Sequence, residues 1–244
     1  MQVDQNNLEV WISQSSTREH LWGHILNSIQ VKSMAELGVY RGQFAETMLK
    51  NCTAIEHYIM IDPWRHLQDW NKPANKNNEQ FELFYNEAMS KTEFAANKRQ
   101  VLRGTTTEVV DNIGDESLDF AYIDGDHTLK GITIDLIKLY PKIKQGGMIG
   151  GDDYSPSIWQ HMTKYEPTLV FPFALYFAEA VGARIYSLPY AQFLIEKTSD
   201  AQFSHIDLTG DYLQTDLQAQ LTTKRLLRSK FKDITRSFRS YWNS

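Results

Sequence analysis

The sequence predicts an α/β fold: a mostly parallel sheet of seven strands, helices on both faces, and an antiparallel hairpin at its C-terminal end. Three observations lead there. Short apolar segments alternate with helical patterns from Met34 to Ile149, which implies right-handed βαβ units and a parallel sheet covered on both sides. The last two apolar segments, 183–188 and 192–196, are joined by a tight turn at Pro189-Tyr190, too short for a crossover, and must pair antiparallel. Four of the first five strand ends carry a carboxylate, at Glu36, Asp62, Asp124 and Asp152-Asp153, which exceeds ordinary polar punctuation.

Taken in order, Ser16-Thr17-Arg18-Glu19 reads as a capping box, followed by Leu21, Trp22, Ile25 and Ile29 at helical spacing. An apolar segment at 34–39 runs into Gly38 and Gly42 and a second helical pattern from Phe44 to Leu49. The next strand, 58–61, stops at Asp62-Pro63. A polar, aromatic, asparagine-rich stretch at 64–99 is long for a connection, so it is expected to contribute a lid, with a helix over 79–89. Val101-Leu102 begins a third strand ending near Gly104, and 118–123 forms a fourth. A helix over 132–140 ends before Pro141, and a fifth strand at Met148-Ile149 ends at Asp152-Asp153. The resulting organisation is one domain over 1–205, with a helical lead-in at 1–32, and a basic helical tail over 206–244.

At 244 residues, 42% hydrophobic and 23% charged, the chain can bury a full core. Cys52 is the only cysteine, which excludes an internal disulfide and fits a reducing cytosol. The N-terminal stretch lacks a charged-then-apolar signal pattern, so the expected location is cytoplasmic. Of the net charge of −5, residues 221–244 contribute seven basic residues against one acid, +6, leaving −11 on the body. So acidic a body argues against general nucleic-acid binding.

Ligands of open α/β sheets bind beyond the carboxyl ends of the strands. The first turn, Glu36-Leu37-Gly38-Val39-Tyr40-Arg41-Gly42, lacks the three-glycine dinucleotide spacing and adds an acid, suiting a cationic ligand better than a pyrophosphate. Asp62 stands where a carboxylate can accept both ribose hydroxyls. A nucleoside with a cationic amino-acid arm is S-adenosylmethionine (SAM). The same residues would also serve as turn glycines and a strand-ending cap.

The motifs Glu-Leu-Gly-Val-Tyr-Arg-Gly at 36–42, Ile-Asp-Pro-Trp at 61–64, Tyr-Ile-Asp-Gly-Asp-His at 122–127 and Gly-Gly-Met-Ile-Gly-Gly-Asp-Asp-Tyr at 146–154 follow in order. Together they resemble the class I SAM-dependent methyltransferases of the methyltransferase 24 type, including the macrocin and novobiocin sugar O-methyltransferases. The resemblance spans residues 34–197 and implies a Rossmann-like fold. By resemblance, Glu36 and Gly38 line the methionine arm, Asp62 the ribose, and Gly104, Thr105 and Thr106 the adenine, with Gly42 and Asp124 completing the cofactor set.

Methyl transfer requires an aligned nucleophile that loses its proton. A sugar hydroxyl is a very weak acid, and a divalent cation is a stronger aid than a side-chain base alone. Asp124, Asp152 and Asp153 end adjacent strands, and three hard oxygen donors suit Mg²⁺ or a similar ion. The family often has His-Asp where Asp152-Asp153 stands here, a departure toward its metal-dependent branch. The alternative is that these acids cap strand ends. Asp126 reads as a helix cap or a further ligand. His127, with Asp124, is the candidate catalytic pair, the imidazole acting as general base in a metal-independent enzyme; His161 is the weaker candidate. Tyr154, Trp159, Trp64, His66 and Trp70 are candidates for an acceptor wall or for plain packing. The expected reaction is therefore O-methylation of a small-molecule or saccharide acceptor, set against a non-catalytic SAM-binding regulator.

In the tail, Leu227, Phe231, Ile234, Phe238 and Trp242 recur at steps of three and four with basic residues opposite. Docking on the domain or on a second subunit, contact with an anionic membrane surface, and a solvated charged helix all suit such a pattern. A lipid-linked saccharide acceptor would give the second a purpose.

Overall fold

The computed structural model describes residues 3–199, 202–212 and 221–242. Its sheet has the order β3-β2-β1-β4-β5-β7-β6-β8. The strands are β1 Ser33–Leu37, β2 His57–Asp62, β3 Arg99–Arg103, β4 Leu118–Ile123, β5 Ile143–Gly151, β6 Arg184–Leu188, β7 Gln192–Glu196 and β8 Ser204–Asp207. The first five run parallel, and β7 lies antiparallel between β5 and β6. This is a Rossmann-like sheet closed by the expected hairpin. It has one strand more than the sequence suggests: β8 adds parallel to β6. Ser-His-Ile-Asp has a single apolar side chain and sits half-buried at the edge, so no strand pattern marks it.

Helices cover both faces. On one, α1 Gln5–Gln14, α2 Arg18–Ser28, α3 Gln43–Asn51 and α4 Asn78–Lys91 bury Leu8, Trp22, Ile25, Phe44, Met48 and Phe81 against Met34, Tyr58 and Tyr122 of the strands. On the other, α5 Thr106–Val109, α6 Leu129–Leu139 and α7 Val170–Ala180 bury Val109, Ile132, Leu136, Phe171 and Ala174 against Leu37, Ile61 and Ile123. Alternate residues of one strand serve opposite cores, as the pleat requires.

Local signals place some boundaries differently from the sequence reading. Thr17, not Ser16, caps α2, accepting from the His20 amide at 3.2 Å. Thr128, not Asp126, caps α6; Asp126 instead accepts from the Thr128 amide and hydroxyl, at 2.9 and 3.0 Å. Helix α7 escapes a periodicity reading because its residues are apolar nearly all round, the pattern of a buried helix. Pro172 is tolerated in its first turn, where amides lack intrahelical partners.

The sheet's ladder continues one residue beyond each strand. Gly38 N donates to Ile61 O (2.9 Å), Gly104 N to Asp62 O (3.1 Å), Asp124 N to Leu37 O (2.7 Å) and Asp152 N to Ile123 O (2.9 Å). Five strand ends are thereby held level at one edge. Gly38 has φ +84°, and a Cβ there would stand 1.9 Å from the Asp124 carbonyl oxygen. Gly42, at φ +73°, would meet Ala88 of α4 at 2.8 Å. Only glycine allows the first loop to pack so closely on its neighbours.

Candidate active site

Glu36, next to last in β1, lies on the α2–α3 face, where it is 1% exposed and accepts a 2.6 Å hydrogen bond from the Tyr58 hydroxyl. Burial raises its pKa to about 8 against that hydrogen bond, and the charges of Asp124 and Asp62 add to the rise. Asp62 accepts from the Tyr40 amide (2.8 Å) with one oxygen and from the Trp64 amide (2.7 Å) with the other. Burial lifts Asp62 to about 6, opposed by these amides. Each Asp62 oxygen retains a lone pair for a ligand. Trp64 itself is fully buried, donates Nε1–H to Tyr40 O (2.7 Å) and meets Tyr85 edge-on. It packs the glycine loop onto β2 and is not an acceptor wall. Tyr40 and Trp64 both take left-handed backbone conformations, at φ 52° and 38°, as residues of binding loops often do.

After β3, Gly104 packs against Val109, and the Thr105 amide and hydroxyl are held by Glu108 at 2.8 and 3.0 Å. Arg65 closes on the same carboxylate at 2.7 Å, joining the 64–77 segment to this corner. Thr106 donates to Asp135 at 2.5 Å, and burial raises that carboxyl to about 7.

The ends of β4 and β5 form the second half of the site. His127 Nδ1 lies 2.5 Å from Asp153 Oδ2, and Nε2 lies 3.4 Å from Asp124 Oδ1. That second approach is too poorly directed for a hydrogen bond, and the buried Nε2 has no other partner among the described residues. One donor atom from each of Asp124, His127 and Asp153 lies within 4.8 Å of the others. Burial opposes charge on His127, but the two carboxylates outweigh it and hold the imidazole at about 10; Asp153 falls to about 2, the same imidazole and Gln160 overcoming its burial. Asp153 takes φ 56°, a left-handed conformation that aspartate tolerates, and this turns its carboxylate toward His127.

Asp152 points elsewhere. Its Oδ2 pairs with the Arg18 guanidinium, and its Oδ1 accepts from Gln192 Nε2 at 2.5 Å. Successive strand residues face opposite sides, so neighbouring aspartates at a strand end diverge. The structure thus brings His127 into the three-donor cluster and gives Asp152 to Arg18.

Three residues that no motif marks complete the site. Arg18, first residue of α2, also reaches Asp124 at 3.2 Å, so one cation spans the ends of β4 and β5. Gln192 is fully buried and accepts from Trp22 Nε1 and the Tyr122 hydroxyl, both at 2.7 Å, which aims its amide nitrogen at Asp152. Lys72 is 4% exposed and donates to the carbonyls of Glu166 and Pro167 at 2.9 and 3.1 Å. With Asn71 bonded to Lys164 O and Trp70 Nε1 bonded to Asp126, it ties the 64–77 segment to the segment after β5. The only available signal was an unusual density of Asn, Trp and Lys in a long connection.

Of the remaining candidates, Tyr154 is buried among Phe171, Phe193 and Tyr212 as core. His66 is exposed, with Nδ1 3.0 Å from Lys76 O. Trp159 and His161 are half-buried beside Gln160, whose amide bonds to Asp153. A separate concavity of about 300 Å³ lies at the opposite ends of β2 and β3, between Ser33, His57 and Arg99, away from these carboxylates.

Residues 35–154 match the model of a family described as a methyltransferase domain. Residues 35–154 are a methyltransferase domain of this family. Those residues run from Ala35, beside Glu36, to Tyr154, just past Asp153, so the match contains both halves of the site. The fold of this methyltransferase is shared with solved structures of low sequence identity. A putative caffeoyl-CoA O-methyltransferase from Staphylococcus aureus superimposes with a TM-score of 0.54 at 13% identity, over 81% of this chain and 85% of that one. The O-methyltransferase TomG from Streptomyces achromogenes, in complex with SAM, gives 0.52 at 12%, over 81% and 91%. An O-methyltransferase from Bacillus cereus, in complex with SAH, gives 0.54 at 14%, over 80% and 92%. No curated protein matches the sequence significantly.

Proposed function

We propose that this methyltransferase uses SAM to methylate a hydroxyl of a saccharide or a related hydroxylated natural product, aided by a divalent cation. The observation that carries this reading is the meeting of Asp124, His127 and Asp153 at the strand edge that also holds Glu36 and Asp62.

SAM would supply an electrophilic methyl carbon on a sulfonium. Glu36 offers a buried carboxylate to its cationic arm, and Asp62 offers both oxygens to ribose hydroxyls. Gly38 and Gly42 keep the intervening loop flat against β4 and α4. The bound forms of TomG and the Bacillus cereus enzyme, with SAM and SAH respectively, support this choice of ligand.

The donor set fits a divalent cation: two carboxylates and an imidazole whose buried Nε2 lacks a hydrogen-bond partner. Mg²⁺ suits the carboxylates, and the imidazole extends the choice to Mn²⁺ and its first-row neighbours. Such an ion would lower the pKa of a coordinated hydroxyl by several units. The chain's own residues orient the site: Asp153 holds the imidazole at Nδ1, Gln160 holds Asp153, and Arg18 restrains Asp124. The segment carrying Trp70 and Lys72 covers this corner and limits access of water.

A metal-independent reaction with His127 as base is the second reading. A cation would give the buried Nε2, which lacks a hydrogen-bond partner among the described residues, and the two carboxylates around it a common partner. On that ground the cation-assisted reading is preferred. Calorimetric titration with S-adenosylhomocysteine, with and without Mn²⁺, tests both halves together. Submicromolar to micromolar SAH binding and a separate Mn²⁺ isotherm lost in Asp153→Asn are the expected results. Turnover of hydroxylated acceptors undiminished by excess EDTA would return the reading to His127 alone.

A further inference from the structure

Helix α8, Thr223–Trp242, docks on the body by its polar side. Asp233 accepts from the amide and hydroxyl of Thr163, both at 2.9 Å, and Ser229 is buried to 7% exposure. Successive helical residues turn by about 100°, so Ser229 and Asp233 share one side and Leu227 and Phe231 the other. The latter two are exposed, at 61% and 68%. Lys230 borders them on one flank, and Lys224 and Arg228 on the other, all exposed. The side chains of Ile234, Phe238 and Trp242, which continue the apolar stripe in sequence, lie outside the described residues.

This orientation is inverted. An amphipathic helix that belonged only to its own domain would bury Leu227 and Phe231 and leave Ser229 in water. We infer that α8 is a membrane-surface helix, which lays Leu227 and Phe231 into an anionic lipid surface while Lys224, Arg228 and Lys230 meet the headgroups. The pattern of an apolar stripe between basic flanks matches an interfacial helix, whose long cationic side chains reach the headgroup layer. Charge agrees: the tail is +6 while the body is −11, so only the tail's face is drawn to an anionic bilayer. A second copy offers negative charge too. Yet outside the tail its exposed large apolar side chains are spread one or two to an element among the described residues, as with Val10, Leu83 and Tyr176, and pairing stripe on stripe would set two +6 tails against each other. Among the described residues no helix is long and apolar enough to cross a membrane, so the contact is peripheral.

The test is co-sedimentation of the full chain with vesicles of phosphatidylglycerol and phosphatidylethanolamine, against vesicles of phosphatidylcholine alone. Binding to the anionic vesicles, weakened at least about tenfold by the Leu227→Glu/Phe231→Glu double variant and by high salt, is expected. Unchanged SAH affinity in that variant shows that the body is folded. Failure of the wild type to pellet with anionic vesicles, or equal pelleting of the double variant, overturns the inference. So does light scattering that shows a wild-type dimer which the double variant dissolves, since a second copy then covers the stripe. SAH binding is measured separately, so these outcomes do not depend on the proposed reaction.

Discussion

The Arg18 guanidinium closes on the Asp152 carboxylate, joining the first turn of α2 to the end of β5. The same guanidinium touches Asp124, 3.2 Å away, so the N-terminal helix is fixed to the site by charge as well as by Trp22 in the core. Arg18→Ala leaves two half-buried carboxylates without their cation. Loss of about 1–3 kcal/mol is expected, a fall in melting temperature of roughly 3–10 °C. Arg18→Lys should recover part of it, because an ammonium cannot reproduce the fork that spans two carboxylates. Thermal melts of the three proteins at one pH check this.

Asp152 and Asp153 should separate in their response to substitution. Asp153→Asn and His127→Ala remove donors from the three-residue cluster, and a fall of about 10- to 100-fold in Mn²⁺ affinity is expected. Asp152→Asn should change that affinity by less than about threefold, since its carboxylate faces Arg18 and Gln192. A Mn²⁺ titration in which Asp152→Asn is the most damaged variant would restore the three-aspartate set.

Stability of the ligand-free protein should fall between pH 5 and pH 8. Glu36 at about 8, Asp135 at about 7 and Asp62 at about 6 all sit above their unfolded values, each raised mainly by burial. The folded chain therefore holds more protons than the unfolded chain in this window, and unfolding free energy decreases as pH rises. The contribution is complete below the unfolded carboxyl range and is lost as pH passes through the folded values. Glu36→Gln should flatten the profile of melting temperature against pH. It should also weaken SAM binding by about 10- to 100-fold, since a neutral amide cannot pair with the cationic arm. A steeper profile in Glu36→Gln than in the wild type would sink this assignment.

Gly38 and Gly210 make a matched pair. Both are left-handed, at φ +84° and +78°, but a Cβ at Gly38 meets the Asp124 carbonyl whereas one at Gly210 meets nothing within 4 Å among the described residues. Gly210→Ala should cost only the conformational strain, about 1 kcal/mol, while Gly38→Ala should cost more than about 3 kcal/mol or abolish folding. Chemical denaturation of the two variants distinguishes the strain from the collision.

Much of this protein is written in local sequence. Apolar runs of strand length, separated by helical patterns, determine the parallel sheet, because period and spacing report which faces are buried. The carboxylates at Glu36, Asp62, Asp124, Asp152 and Asp153 are visible for the same reason: a strand end is a local feature, and its position at the ligand edge follows from the topology. What the tertiary structure alone decided is where each carboxylate points and what meets it. Asp152 and Asp153 are neighbours in sequence, yet one turns to Arg18 and the other, through a left-handed backbone, to His127. Arg18 lies 106 residues from Asp124 in the chain, and Gln192 lies 40 from Asp152. No period or motif encodes such distances; they are set when the α2 core contacts and the β5–β7 register close. The tail shows the same division. Its amphipathic stripe is plain in the sequence, but only the Asp233–Thr163 contact reveals that the apolar side faces outward.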